Sequence, residues 1–319
     1  REWSAHIWAR DYNFTAIDNG EIIKGEFDNN RPQWARFIVM NSRRPPFNDR
    51  RVRKALSLLF DFDWANRTLF LNAYQRLDSL FVNSELAHQN KMMPEERDLL
   101  EANRAHLPAA LFKSDRFTPP KTAGPATMRS NMRQARDLFE QAGWVLKDGV
   151  MTDSKSGEIL NIELLLDQPL NEKIALHYAR TLEKIGIKTD VRTVDSAQYA
   201  GRLNDYDYNM IFHFWKNSLS PGTEQAIYWG SDSAQTKGSL NYAGAHNKGI
   251  DTIIEAITLA ESRSGLVAAT RALDRAVMHQ YYGVPLYYSG KDFIAYRSNL
   301  GLPDTTPLYG PVIQTWWEK

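Results

Sequence analysis

The sequence has 319 residues, which is enough chain for about two domains of ~150 residues each and for a large buried core. Its 39 Lys and Arg against 38 Asp and Glu give a formal net charge of +1, so no overall field favours nucleic acid or an anionic membrane. The chain has no cysteine, which excludes disulfides, thiolate metal sites and cysteine nucleophiles. Because it has no run of about 18 apolar residues, the sequence predicts no membrane span.

The stretch from residue 36 to residue 63 has the clearest organisation in the chain. Residues 37–40, Phe-Ile-Val-Met, are a short apolar run that predicts a buried strand. Pro45 and Pro46 end the run, because proline lacks an amide donor and restricts the residue before it. Asn48 or Asp49 can then cap a helix with one apolar face. That face consists of Val52, Ala55, Leu56 and Leu59.

Two shorter patterns flank this unit. Asn19 and Gly20 form a turn signal, which predicts a hairpin over residues 14–24. On the other side, Asp63 is predicted to cap a second short helix over residues 63–70.

The rest of the chain alternates strands with helices, after a long irregular segment over residues 91–128 that begins with a charged helix near Pro94. The predicted strands are 147–153, 159–166, 187–192, 209–212 and 284–288, and the predicted helices are 131–142, 170–184, 196–204, 250–260 and 266–281. This alternation indicates βαβ units and an α/β sheet. No glycine-rich loop follows any of these strands. The sequence therefore lacks the phosphate-binding loop that a nucleotide-binding function would need.

Residues 212–229, FHFWKNSLSPGTEQAIYW, are the strongest candidate for ligand contact. They begin at the carboxyl end of a predicted strand, where open α/β sheets place ligands. Their aromatic rings and small polar groups suit a peptide main chain, and a surface loop with a buried aromatic anchor is the alternative. The expected contacts are Phe212, Phe214, Trp215, Asn217, Ser218, Ser220, Tyr228 and Trp229.

The string NSRRPPFNDRRVRKAL at residues 41–56 resembles the signature of the family 5 extracellular solute-binding proteins, the periplasmic peptide receptors of ABC importers. Three further strings resemble the YejA-like subgroup of oligopeptide receptors in that family. They are FDFDWANRTLF at residues 60–70, FVNSELA at residues 81–87 and SLSPGTEQ at residues 218–225.

The resemblance implies an α/β fold, namely a lobe of the periplasmic binding protein type (type II, cluster C) with a mixed sheet flanked by helices. It implies that residues 1–35 form the end of lobe I and the segment that crosses to the other lobe. Residues 36–290 are then lobe II, and residues 291–319 return to lobe I. In the family, the motif seen here at residues 41–56 lies deep in the chain. We therefore expect this chain to be the second half of a longer receptor, with remnants of the other lobe.

The resemblance also adds site residues. Tyr74, Arg76 and Asn241 match positions in loops that reach the ligand cleft of the family, with a structural role as the alternative for each. In many related receptors an aspartate shortly after the cleft tryptophan neutralises the peptide amine. Here Lys216 follows Trp215, so no carboxylate occupies that place.

The sequence gives little support to an enzyme. The seven histidines are scattered without an HExxH motif, and no GxSxG nucleophile elbow is present. Glu224 and Asp232 lie near Trp215 and Trp229, which permits a carbohydrate-processing enzyme with two carboxylates as the alternative function. A self-contained interaction domain is a third possibility.

The function that the resemblance implies involves no chemistry on the ligand. Such a receptor holds an oligopeptide or peptide-like compound between two lobes and delivers it to the transmembrane subunits of an ABC permease. The resemblance further implies a periplasmic location, a monomer, no cofactor and no nucleic-acid partner.

Overall fold

The computed structural model describes residues 1–113 and 116–319. Helices and strands are numbered here in chain order. The helices are α1 (Ala5–Asp11), α2 (Thr15–Asp18), α3 (Arg50–Leu58), α4 (Phe62–Leu69), α5 (Pro94–Ala102), α6 (Pro125–Gln141), α7 (Glu172–Glu183), α8 (Ser196–Asn204), α9 (Glu224–Trp229), α10 (Ser231–Gln235), α11 (Lys248–Thr258) and α12 (Arg263–Gln280). The strands are β1 (Ile22–Asp28), β2 (Ala35–Met40), β3 (Gln75–Arg76), β4 (Trp144–Lys147), β5 (Val150–Asp153), β6 (Asn161–Leu166), β7 (Lys188–Thr193), β8 (Met210–Trp215), β9 (Gly283–Pro285), β10 (Tyr287–Tyr288), β11 (Lys291–Arg297), β12 (Leu300–Gly301) and β13 (Trp317–Glu318).

A mixed five-stranded sheet forms the centre of the fold, in the order β7-β6-β8-β2-β9. Strands β7, β6 and β8 are parallel, whereas β2 runs antiparallel to β8 and to β9. The chain leaves β6 through α7 to reach β7 on one side, and then returns through α8 to β8 on the other side of β6. The carboxyl ends of β6 and β8 therefore flank a topological switch point, where connections diverge and a crevice opens.

Strand β2 is an interior strand of this sheet, between β8 and β9, and is buried on both faces. Phe37 and Val39 belong to one hydrophobic cluster, together with apolar residues of α11 and α12. Ile38 and Met40 belong to the other, together with residues of α3, α6 and α7. A strand covered by helices on both faces is expected to be a continuous apolar run, and this is the pattern of residues 37–40.

Helix α3 follows β2 as the sequence predicts. The Asp49 carboxylate caps it by accepting the backbone N–H of Arg51 at 2.7 Å. The predicted apolar face is completely buried at Val52, Ala55, Leu56 and Leu59. The alternation of strands and helices from β6 to β8 is confirmed as well, with element ends within about three residues of the predicted ones.

The predicted hairpin over residues 14–24 is wrong. Its first arm is the short helix α2, and the turn at Asn19 and Gly20 ends that helix, with the Asn19 N–H bonded to the Thr15 carbonyl at 2.9 Å. Its second arm belongs to β1, which pairs antiparallel with β11 from the far end of the chain. A local turn signal cannot reveal a strand partner that lies about 270 residues away.

The predicted cap of α4 is also wrong. The helix begins at Phe62, and Asp61 rather than Asp63 caps it, accepting the Trp64 N–H at 3.0 Å. Asp63 instead accepts the hydroxyl of Thr122 at 2.6 Å, which holds the irregular segment against α4. Two aspartates lie within three residues at this end, and only the tertiary contact of Asp63 distinguishes their roles.

The irregular segment begins with α5 and short 3-10 turns, as expected, and residues 114 and 115 within it lie outside the described residues. Beyond β11, the last residues add the small antiparallel pair of β12 with β13 and a short 3-10 helix, Ile313–Thr315. Within the described part of the chain, no helix combines the length and apolar character needed to cross a bilayer.

Candidate functional site

A continuous groove opens at the switch point of the sheet. It consists of two adjoining depressions of about 360 and 400 Å³. Both depressions are lined by Trp3, Trp34, Arg36 and Tyr74. We call the combined depression the groove. The first depression reaches the carboxyl ends of β6 and β8, and the second continues toward β11.

Aromatic rings form much of the groove wall. Trp34 and Phe214 stack in parallel, with ring centroids 4.7 Å apart and an interplanar angle of 9°. Tyr74 and Tyr287 pack against each other at 4.5 Å. Trp34 is 40 % exposed and Phe214 is 37 % exposed, so flat apolar surface faces solvent inside the groove. Such surface suits ligands of varied sequence, because a ring contributes a large contact area at a low cost in conformational entropy.

Two opposite charges in the groove have no ion-pair partner among the described residues. The Arg36 guanidinium lies over the rings of Trp34 and Tyr287, at 5.2 and 5.9 Å from their centroids. Asp167, directly after β6, lines the same depression. Among residues 1–113 and 116–319, neither side chain has a hydrogen bond or an ion pair to another protein group. Both charges are therefore available to a ligand.

The groove histidines contribute no charge near neutral pH. Burial lowers the pKa of His213 to about 4. Burial, followed by the charge of Arg10, lowers the pKa of His6. The His6 ring also lies 3.3 Å from the Tyr74 hydroxyl, and burial raises the pKa of that phenol. Arg36 and Asp167 therefore carry the charge of the first depression.

Three of the residues predicted from sequence line this groove, namely Tyr74, Phe212 and Phe214. Phe212 and Phe214 come from the last part of β8, and Tyr74 immediately precedes β3. These three are brought together because β8 and the segment before β3 both border the N-terminal end of β2.

The two predicted tryptophans lie elsewhere, in the hydrophobic core. Trp215 and Trp229 are each 2 % exposed and pack against each other at 4.4 Å. The Trp215 indole donates to the Leu240 carbonyl at 3.3 Å, and its ring meets Phe37 edge-on. They correspond to the buried aromatic anchor that was the alternative interpretation of this segment.

The predicted polar residues mainly hold the loop after β8 in shape. Asn217 donates to the Leu80 carbonyl at 2.8 Å and accepts from Gln225 at 3.0 Å. The Ser218 hydroxyl accepts the N–H of the exposed Ser220 at 3.1 Å. Tyr228, on α9, packs beside the core cluster.

Asn241 and Arg76 are also outside the groove. Asn241 is completely buried, and its amide donates to the carbonyls of Gly230 and Ala245, both at 2.9 Å. The Arg76 guanidinium is buried over the rings of Phe60 and Phe62. Neither side chain lines either of the two depressions.

The two carboxylates of the enzyme alternative do not converge on the groove. Glu224 accepts the Gly222 N–H at 3.0 Å at the start of α9, and Asp232 is exposed on α10. Within the described residues, no group of three or more His, Asp or Glu side chains could hold a metal ion.

Sequence reasoning missed several groove residues, above all Trp34, Arg36 and Asp167. Asp167 follows a predicted strand directly, so the rule that ligands bind at the carboxyl ends of strands could have identified it. Trp34 and Arg36 lie at the beginning of β2, and they reach the same end of the sheet only because β2 runs antiparallel to β8. The sequence carries no signal for that direction.

A third depression, of about 450 Å³, lies outside the groove near the other end of β2 and is lined by Arg50, Arg53, His106 and His246 among others. It is wide open and mainly polar. We place the candidate site in the groove instead, because the groove combines exposed aromatic rings with the carboxyl ends of parallel strands.

Comparisons with known proteins identify the family and the fold of this chain. Residues 4–237 match the family model described as bacterial extracellular solute-binding proteins, family 5 Middle. The chain is 38% identical over 312 residues to the peptidoglycan-binding protein YepA of Agrobacterium fabrum, covering 98% of this chain and 50% of that protein. It is 36% identical over 320 residues to the probable peptide-binding protein YejA of the same organism, covering 99% of this chain and 52% of the relative.

Solved structures show the same fold. The oligopeptide-binding protein AppA of Bacillus subtilis, solved in complex with a nonapeptide, superposes with a TM-score of 0.66 at 18% identity, over 99% of this chain and 57% of AppA. The chain spans about half the length of the curated relatives it matches. The resemblance found in the sequence is confirmed: this chain belongs to the family 5 bacterial extracellular solute-binding proteins and is similar to YejA.

Proposed function

We propose that the protein is the solute-binding component of an ABC importer and that its groove binds oligopeptides or peptide-like compounds. The observation that carries the proposal is the groove itself, with the stacked, exposed rings of Trp34 and Phe214 at the carboxyl ends of β6 and β8. Relatives described as binding peptidoglycan or peptides, and a structural neighbour solved with a nonapeptide, support the same ligand class.

We propose that residues 36–290 form lobe II and that residues 1–35 and 291–319 belong to lobe I. Strand β1 pairs with β11 in a two-stranded sheet separate from the central five-stranded sheet. Large apolar side chains of both terminal segments are exposed, including Trp3 at 68 % and Trp317 at 52 %. A segment with such surface fits packing against further protein.

In this proposal the ligand lies between two lobes, and their closure signals to the transmembrane subunits of a permease. The protein acts in the periplasm as a monomer and catalyses no reaction. Membership of an extracellular solute-binding family supports the location.

Native mass spectrometry of the purified protein, followed by denaturing release of any bound compound, tests the proposal. We expect a heterogeneous set of short peptides, and released sugars would overturn the peptide assignment. If the protein is isolated without a bound compound, titration with a peptide mixture tests whether it binds peptides. Trp34→Ala and Phe214→Ala should each weaken peptide binding at least tenfold, because each removes a stacking surface. Trp317→Ala, an exposed tryptophan outside the groove, is the matched control.

A further inference from the structure

We propose that the third depression, which we call the basic recess, binds a carboxylate-bearing segment of a protein partner through the guanidinium groups of Arg50 and Arg53. The inference goes beyond the proposed function and does not depend on it. The recess has a volume of about 450 Å³, and none of the described residues that line it is an aspartate or a glutamate. Two histidines, His106 and His246, line it together with the two arginines.

The two arginines lie on the same face of α3, because they are three residues apart in a helix. Arg53 is only 4 % exposed, and its Nε and Nη1 donate to the carbonyls of Gln280 at 3.1 Å and Phe47 at 2.7 Å. Among the described residues its Nη2 has no acceptor, so this amino group is available in the recess. Arg50 makes one hydrogen bond within the described part of the chain, from Nη1 to the His279 carbonyl at 3.4 Å.

No acidic group of the protein neutralises these two charges. The partners of both arginines are carbonyl oxygens, and neither forms an ion pair within residues 1–113 and 116–319. Asp49, the acid at the start of the same helix, is paired with Arg51 at 2.6 Å. Burial lowers the pKa of Arg53 to about 10, and the dipole of α3 disfavours positive charge at its beginning. An anion bound between the two guanidinium groups would compensate these unfavourable terms together.

The surroundings of the arginines favour a carboxylate of another protein over a phosphate. Phosphates commonly bind the free N–H groups at helix starts, but the starts of α3 and α11 are capped by the side chains of Asp49 and Asn247. What remains is the guanidinium edges, which form paired hydrogen bonds with carboxylates. The recess is also wide open to solvent, so a side chain that projects from a second protein surface can enter it.

The basic recess and the groove lie at opposite ends of β2. Trp34 and Arg36 line the groove, whereas Ser42, just beyond the other end of the strand, lines the recess. The strand itself, from Ala35 to Met40, spans roughly 17 Å at ~3.4 Å per residue. A partner in the recess therefore leaves the groove open, and the two sites can be tested separately.

Fluorescence anisotropy of labelled hexaglutamate, titrated with the full-length protein that carries this chain, tests the inference. We expect binding at low ionic strength that weakens as NaCl is added. Arg50→Gln should weaken it by about tenfold or more, because hydrogen bonds to a charged group are lost. Arg50→Lys should weaken it less, since lysine keeps the charge but lacks the planar fork. Arg67→Gln, which makes the same change of charge at an exposed position on α4, is the matched control and should not alter the affinity.

Several results would overturn the inference. If wild type does not bind hexaglutamate, or if Trp34→Ala weakens binding and Arg50→Gln does not, the recess is not the site. A lower melting temperature of Arg50→Gln with unchanged affinity would mean that the arginine only holds the end of α12. Binding of inorganic phosphate or of phosphatidylglycerol vesicles through Arg50, without binding of hexaglutamate, would replace the protein partner by a phosphate or a lipid. The proposed function is decided separately, by peptide binding to the groove.

Discussion

Arg76 is a buried cation whose surroundings do not compensate its charge. The three guanidinium nitrogens are buried and have no hydrogen-bond acceptor among the described residues. They lie over the rings of Phe60 and Phe62, at 4.9 and 5.3 Å from the centroids. Burial lowers the pKa of Arg76 to about 9, against the opposing effect of the Asp63 and Asp61 carboxylates. The charged form is therefore disfavoured inside the fold.

We expect Arg76→Met to raise the free energy of unfolding by about 1 to 3 kcal/mol, because an apolar side chain of similar length removes the desolvation cost. Urea unfolding at pH 7 measures the change. Arg67→Met, on the exposed side of α4, is the control and should leave stability within about 0.5 kcal/mol. A loss of stability in the Arg76 variant would show instead that the buried guanidinium stabilises the fold.

His279 makes stability depend on pH in mildly acidic solution. The residue is 4 % exposed at the end of α12, and its Nδ1 lies 2.8 Å from the Arg275 carbonyl. Burial lowers the pKa of His279 to about 4, from 6.5 for an ordinary histidine. The unfolded chain takes up a proton below pH 6.5, whereas the folded protein resists protonation until about pH 4.

The contribution of His279 to stability is therefore complete above pH 6.5 and is lost as the pH falls toward 4, by up to about 3 kcal/mol. We expect His279→Gln to reduce the pH dependence of the free energy of unfolding between pH 6.5 and pH 4. The number of protons taken up on unfolding should fall by nearly one. Denaturant unfolding at a series of pH values measures it. His106→Gln, at an exposed histidine, should follow the wild-type curve. Parallel curves for wild type and the His279 variant would contradict the assignment.

Among the secondary-structure elements, α12 holds the segment of residues 79–88 in place through Asp274. The buried Asp274 carboxylate accepts from the Ser79 hydroxyl at 2.5 Å, the Leu80 N–H at 2.8 Å and the His88 N–H at 3.0 Å. Its Oδ2 also lies 2.7 Å from His88 Nδ1. The serine, histidine and aspartate resemble a catalytic triad by residue type only, because the aspartate is central and both the histidine and the aspartate side chains are completely buried. The cluster holds residues 79–88 in place.

We expect Asp274→Asn to lower the free energy of unfolding by about 3 kcal/mol or more, because an amide offers a single acceptor atom to several buried donors. Urea unfolding measures the total loss in the free energy of unfolding. Faster amide hydrogen exchange at residues 79–88 would show that the loss is concentrated in that segment. Asp98→Asn, an exposed aspartate on α5, is the control. Uniform exchange changes across the sheet, without preference for residues 79–88, would argue against this anchoring role.

For the whole molecule, the open side of the groove determines what the chain can bind alone. Ligand sites of drug-sized molecules commonly bury about 70–90% of the ligand surface, and both depressions of the groove are open to solvent. We expect the isolated 319-residue chain to bind peptides at least about 100-fold more weakly than a two-lobed protein that contains it. Calorimetry on both proteins with the same peptide measures the ratio. Tight, stoichiometric binding by the isolated chain would contradict the division into lobes.

Much of the fold could be predicted because its signals are local. The apolar run of β2, the capped helix α3 and the alternation from β6 to β8 each depend on neighbouring residues. The failures share a cause: the partner of β1 and the role of Asp63 depend on contacts with residues far away in the sequence. Of the site, the sequence indicated Tyr74, Phe212 and Phe214, while Arg36 needed the direction of β2.

The sequence by itself determined the α/β class of this protein, because the alternation of strands and helices is a local pattern, and its family, because short strings resemble the motifs of that family. The mixed sheet was expected from that resemblance alone. Only the tertiary structure decided which aromatic rings line the groove. Phe214 and Trp215 are adjacent in β8, yet one is 37 % exposed in the groove and the other is 2 % exposed in the core. Successive side chains of a strand point to opposite faces, and only the packing of the sheet determines which face is open.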